Sequence, residues 1–148
     1  MADFSAIPWI AEHIQLYRSD PEKARMWDST PLGGPGLLPT LLLTTTGRKS
    51  GEPRALPLIY GTAGESYVVI ASKGGGPAHP LWFRNLEAKP ECELQVGAKR
   101  VMARARVAEG DERERLWQQM AELYPPYLAY EQQATDRTIP VVVLDPSD

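Results

Sequence analysis

LLLTTTGRKSGEPRALPLIY, residues 41–60, holds two extended runs around a turn. Leu41 to Thr46 is an unbroken apolar and β-branched run, the pattern of a strand buried or half-buried in a sheet. Gly47 and Gly51 bracket Arg48, Lys49 and Ser50, which puts cations and a hydroxyl at the tip of a tight turn. The chain leaves through Pro53 and Arg54 into a second extended run, Ala55 to Tyr60. Such a tip has two readings. It can be solvated surface, or it can be an anion clamp. Glycines let backbone N–H groups approach a ligand, Arg offers a planar fork of donors, and Lys offers a point charge.

Composition narrows the ligand. The length of 148 residues suits one domain with a single core. A formal net charge of -3 and a pI near 5.4 argue against nucleic acid as a partner, because such a footprint is basic. Local cation clusters in a mildly acidic chain point instead to a small anionic ligand. The single cysteine, Cys92, excludes an internal disulfide and fits a reducing cytosol. His13 and His79 stand far apart with no HExxH and no Cys partner, so no metal site is expected. No signal-peptide pattern follows Met1 and no apolar run is long enough for a bilayer, so the expected location is cytoplasmic.

Upstream of the hairpin, Asp3 or Ser5 can cap a helix with Pro8 in its first turn. Phe4, Ile7, Ala11 and Ile14 fall at helical spacing, and Trp9, Ile10, His13 and Tyr17 widen the stripe. This face either packs on the core, or rests on a membrane surface or closes over a ligand; its polar face, with Glu12, Gln15 and Arg18, is not strongly basic. A short helical piece is expected over Pro21–Trp27, then a loop through Pro31–Gly36. Downstream, Gly61–Ser66 reads as a turn and Tyr67–Ala71 as a strand ending in Ser72, Lys73 and three glycines. Pro80 opens a helix over Leu81–Ala88 that Pro90 stops. Glu91–Val96 and Arg100–Val107 form a hairpin with one buried face and one wet, basic face that reads as plain surface.

Gly110-Asp111 starts a helix with Leu116, Trp117, Met120 and Leu123 inward and Glu112 to Arg115 in solvent, closed by Pro125-Pro126. Tyr124, Tyr127 and Tyr130 then recur every third residue. They are either core-edge rings with wet hydroxyls or the lining of a pocket for a flat ligand. The last strand, Thr138–Leu144, contains Pro140, which suggests an edge or a bulge. The pattern is mainly β (α+β): about six short antiparallel strands with flanking helices, closed as a small barrel. No GxGxxG follows a strand, and GxxxxGK[ST] and GxSxG are absent.

Several stretches together resemble the deazaflavin-dependent nitroreductase family of actinobacteria. They are Leu41 to Gly51 with Pro53-Arg54 and Pro57 to Tyr60; Ala71 to Gly75; His79-Pro80 with Trp82 and Asn85-Leu86; Pro90; Tyr124-Pro125 with Tyr127 and Tyr130; and Asp136 to Val141. The resemblance runs over roughly residues 38 to 146 and leaves 1–36 as a variable, lid-like helix and loop.

The resemblance implies a split β-barrel of the flavin-binding type holding F420, a deazaflavin with a phosphate and an oligoglutamate tail. Arg48, Lys49, Ser50, Arg54 and Lys73 become the anion cradle. The ring is expected against Leu56, Pro57, Leu58, Ile59, Ile70, Ala71, Ser72, Pro80, Leu81, Trp82 and Phe83, with Asn85 and Tyr127 beside it. The implied reaction moves a hydride from reduced F420 to an electron-poor acceptor, either an enone, a quinone or a nitroaromatic. Tyr127 is then the first candidate for a donor to the acceptor oxygen, Ser72 and Tyr130 assist, and Tyr124 shapes the acceptor pocket. Two other classes stay open, an FMN-dependent oxidoreductase on the same barrel and a non-catalytic F420 carrier. A homodimer and a membrane contact through the first helix also stay open.

Overall fold

The computed structural model describes residues 8–30, 34–72, 78–134 and 137–147. Asp3, Phe4, Ser5, Ile7, the side chain of Trp9, Pro31–Gly33, Lys73–Gly76 and Asp136 lie outside the described residues. In chain order the elements are α1 (Pro8–Ser19), α2 (Pro21–Ala24), β1 (Met26–Asp28), β2 (Leu37–Thr46), β3 (Pro53–Ile59), β4 (Gly61–Ala63) and β5 (Ser66–Ile70). There follow α3 (Leu81–Ala88), β6 (Glu91–Val96), β7 (Lys99–Val107), α4 (Gly110–Leu123), α5 (Pro126–Gln133) and β8 (Val141–Pro146).

Every strand pair among the described residues is antiparallel. β2 and β3 form the anticipated hairpin, in register from Thr40 opposite Ile59 to Thr46 opposite Pro53. From β2 the sheet runs through β6, β7, β8 and β5 to β4, and β1 pairs with the start of β2. The eight strands make a curled half-barrel flanked by helices.

Strand alternation sends neighbouring residues into two cores. Val69, Ala71, Val142 and Leu144 pack with Leu41, Leu43, Leu56, Trp82 and Phe83 beneath α1 and α3. Val68, Ile70, Val141 and Val143 pack with Leu116, Met120, Tyr124 and Tyr127 from α4 and α5. Both faces of β5 and β8 are therefore covered, which is why these strands read as continuous apolar runs. α1 lays Ile10, Ile14 and Tyr17 into the first core, so its described apolar stripe is spent on packing. Burial of such side chains stabilises by roughly 1.5–3 kcal/mol each.

Some expectations need correction. The helical piece stops at Ala24, and Trp27 sits in β1 opposite Leu38, because the start of β2 offers that backbone a partner. Gly61–Ala63 is a strand rather than part of a turn, paired with Ser66–Val68 across Gly64 and Glu65. The last strand begins at Val141 and lies between β7 and β5, so it is central and not an edge. Pro140 stands just before it, where no ladder N–H is needed, and its carbonyl accepts from Ala71 N at 3.0 Å. Among the described residues the sheet has eight strands, where about six are expected. Arg113 is not simply solvated: it donates to the Ile139 carbonyl at 2.7 Å and lies over the Trp117 ring.

Candidate active site

The turn after β2 closes on itself and is pinned to α3. Gly47 N donates to the Glu52 carbonyl and Gly51 N to the Gly47 carbonyl, each at 2.8 Å. Gly51 has φ +74°, where a side chain would be strained, and a Cβ on Gly47 would stand 2.6 Å from Ser50 Oγ. Asn85, on α3 and 2% exposed, accepts from Arg48 N at 3.1 Å through Oδ1. Its Nδ2 donates to Thr45 Oγ1 at 3.0 Å. One buried amide thus ties the strand, the turn and the helix together, a link to partners 37 and 40 residues away that no local pattern marks.

Arg48, Lys49 and Ser50 on this anchored turn and Arg54 at the start of β3 are all exposed. Arg54 Nη2 lies 3.5 Å from Ser50 Oγ and 4.0 Å from a Glu52 carboxylate oxygen. Among the described residues no carboxylate pairs with Arg48 or Lys49. A donor set of two guanidinium groups, an ammonium and a hydroxyl suits a phosphate or a row of carboxylates. On the flank of the same turn, a cleft of about 200 Å³ is lined by Thr44, Thr46, Lys89, Glu91, Glu93 and Met102 among others. Its two glutamates make it a poor anion site, and it includes none of the expected ring-lining residues.

The expected ring-lining residues divide between the two faces of the sheet. Leu56, Leu58, Ala71, Trp82 and Phe83 belong to the core under α1 and α3. Ile59 and Ile70 belong to the core that holds the tyrosines, and Pro57 alternates with Leu56 and Leu58. Leu81 is half-buried and Pro80 buried at the start of α3, and Ser72 is buried at the end of β5. The two groups adjoin at Leu58 and Ile59 on β3 and at Ile70 and Ala71 at the end of β5. Lys73 lies outside the described residues.

At that strand end sits Arg137, which the expectation left out. It donates to the carbonyls of Ala71 at 3.2 Å and Ser72 at 2.7 Å, and it lies 2.9 Å from His79 Nδ1. A lone arginine ahead of a strand carries no local signal; only the fold brings residues 65 or more positions apart to it.

Tyr124, Tyr127 and Tyr130 do come together. Tyr124 closes α4 and the other two lie on α5. The Tyr124 and Tyr127 rings meet edge to face at 4.8 Å between centroids, and the Tyr124 and Tyr130 hydroxyls are 3.2 Å apart. Burial pushes the phenols of Tyr124 and Tyr127 well above the ordinary tyrosine range, so both stay protonated at neutral pH. Tyr127 is 5% exposed, whereas Tyr130 is half-buried and forms the open side of the trio. Cys92 is buried with its thiol pushed up to about 12, which makes it inert, and among the described residues no His/Cys/Asp/Glu group could hold a metal. No described helix is long and apolar enough to cross a membrane.

Comparison with known proteins places this architecture. The family model described as F420H(2)-dependent quinone reductase matches residues 16–146. An F420H(2)-dependent quinone reductase of Mycobacterium tuberculosis is 43% identical over 112 residues, covering 74% of this chain and 75% of that protein. A solved F420-H2 dependent reductase superposes with TM-score 0.66 at 44% identity, covering 72% of this chain and 93% of the other. A chain solved as a domain-swapped dimer gives TM-score 0.69 at 36% identity, covering 95% and 100%. The chain belongs to the F420H(2)-dependent quinone reductase family and is an F420H2-dependent reductase whose cofactor is F420.

Proposed function

We propose that this protein reduces a quinone to its hydroquinone with F420H2. Arg48 and Lys49, exposed and without a carboxylate partner among the described residues, on a turn fixed by Asn85, carry the proposal, because they suit the phosphate and carboxylates of that cofactor. Arg48, Lys49, Ser50 and Arg54 would hold the anionic part, with Lys73 as a further cation. The end of β5 at Ile70 to Ser72 and the start of α3 at Pro80 to Phe83 would flank the ring, with Leu56 to Ile59 beside them. When bound, F420H2 supplies a hydride to the acceptor.

The chain's own task is to fix both partners, keep water out and donate to the oxygen that gains charge. Tyr127 is the proposed donor. Its burial keeps the O–H intact at working pH, and a donor in a dry site stabilises developing charge more than one in water. Tyr130, which bonds Tyr124 through their hydroxyls and packs on the Tyr127 ring, would assist with Ser72, and Tyr124 would shape the wall.

The test begins with titration of the protein by F420 and by FMN, followed through tryptophan fluorescence. F420 should bind and FMN should not; FMN alone would move the protein to a flavin chemistry. Quinones, enones and nitroaromatics are then compared as acceptors of F420H2, with quinones expected to be fastest. No turnover with any of them, despite F420 binding, would indicate a carrier. Tyr127→Phe should slow turnover by roughly 10²-fold while F420 affinity stays near wild type. Equal losses in both, or a larger loss in Tyr130→Phe, would remove Tyr127 from the role. A homodimer is part of the proposal only as a question for sedimentation.

A further inference from the structure

Arg137 bonds groups from both sides of the strand end where the two halves of the candidate site meet. Its Nη1 reaches the Ala71 carbonyl and His79 Nδ1, and its Nη2 reaches the Ser72 carbonyl. A guanidinium only donates, so Nδ1 of His79 must be the acceptor. The ring is therefore neutral, with its proton on Nε2. The edge-to-face contact with Phe83, 5.0 Å between centroids, holds the ring plane.

We propose that Arg137 is a positioning residue which sets His79 as a neutral Nε2–H donor beside Ser72, directed at a carbonyl oxygen of the deazaflavin ring. This rests on the reading that places the ring between the end of β5 and the start of α3. His79 immediately precedes Pro80, the residue that opens α3, so a donor there serves that same boundary. Among the described residues the charged groups acting on His79 are Arg137, Arg84 and Glu87. Partial burial and the two arginines lower its pKa from the ordinary 6.5, in keeping with a ring that stays neutral at pH 7. Lysine cannot replace Arg137, because a single ammonium lacks the planar fork that serves two carbonyls and a ring nitrogen at once.

The test separates the pair from the cofactor. In ¹⁵N-labelled protein without cofactor, with His13→Gln to assign the two imidazoles, His79 should appear as the Nε2–H tautomer and titrate below 6.5. Arg137→Lys should return it to mixed tautomers and an ordinary titration. His79→Asn keeps an acceptor near the Nδ1 position but lacks the outer donor, whereas His79→Gln keeps a donor near Nε2. F420 should bind His79→Asn about 5–10-fold more weakly, the size of one lost hydrogen bond, and His79→Gln should recover part of that. The Arg137→Lys and His79→Asn losses should be less than additive when combined. An Nδ1–H or protonated His79 at pH 7 overturns the proposal. So does wild-type affinity in His79→Asn, which leaves the F420 reading standing. Failure of the wild type to bind F420 overturns both.

Discussion

Two arginine-rich surfaces on this protein differ in how their charges are paired. On β7, Arg100 pairs with Glu93, Arg104 with Glu91, and Arg106 with both Glu112 and Asp145. On the turn after β2, Arg48 and Lys49 have no carboxylate partner among the described residues, and Arg54 is only loosely near Glu52. The difference comes from register. Antiparallel pairing sets Glu91 opposite Arg104, and the period of two puts Glu93 and Arg100 on the same face. A turn has no opposite strand to neutralise its tip, so its cations stay available to a ligand. Counting basic residues does not separate the two surfaces; knowing what stands across from them does.

The sharpest way to break this contrast is to strip each surface in turn. Arg48→Ala with Lys49→Ala should weaken F420 binding by about 100-fold or more, since charged hydrogen bonds are worth roughly 1.5–3 kcal/mol each and about 1.4 kcal/mol is a tenfold change. The loss should shrink as salt is added, because the wild type weakens. Arg100→Ala with Arg104→Ala should change F420 affinity by less than about twofold, since paired surface ions contribute little. Equal losses from the two pairs, in the same fluorescence titration, would show that the β7 face is also a binding surface.

A smaller effect tests why the turn is presented as it is. Asn85→Ala removes the amide that joins Arg48 N to Thr45 Oγ1, leaving two partly or wholly buried polar groups without that partner. The cost should be about 1–3 kcal/mol, seen as a melting temperature several degrees lower. F420 affinity should fall less than in the turn double variant but clearly more than in the β7 variant. An unchanged affinity would mean that the turn holds its shape without α3.

The contrast also explains what could be read from the sequence. The hairpin Leu41–Tyr60, α3 at Leu81–Ala88 and the β6–β7 hairpin are local, and glycine, proline and alternation mark them. The tyrosine trio was legible because i, i+3 spacing brings phenols together on one side. What stayed hidden depends on distant pairing. β1 and β4 are strands only because β2 and β5 offer them edges, and the central place of β8 follows from sheet order, which no proline rule supplies. Asn85, His79 and Arg137 have side chains that bond 37 to 66 positions away. The division of the expected ring-lining residues between two cores follows from strand alternation in a sheet covered on both faces.

The mildest perturbation reads the β7 surface by itself. Asp145 and Glu112 are both held below the usual carboxylate range. For Asp145 the Ser66 hydroxyl is the leading cause, ahead of Arg106; for Glu112 it is the Arg106 guanidinium. Carboxyls depressed in the fold add stability that is complete above their unfolded values of 3.8 and 4.5 and is lost as pH falls through the lower folded values. Arg106→Gln should therefore lower the melting temperature at pH 7 by roughly 1–3 °C, since its ion pairs are partly exposed and screened. The gap to wild type should narrow below about pH 4, as the wild-type carboxyls take up protons and lose the same pairs. F420 affinity at pH 7 should not move. A gap that stays constant from pH 7 to pH 3 would mean that Arg106 stabilises through the packing of its alkyl stem rather than through charge.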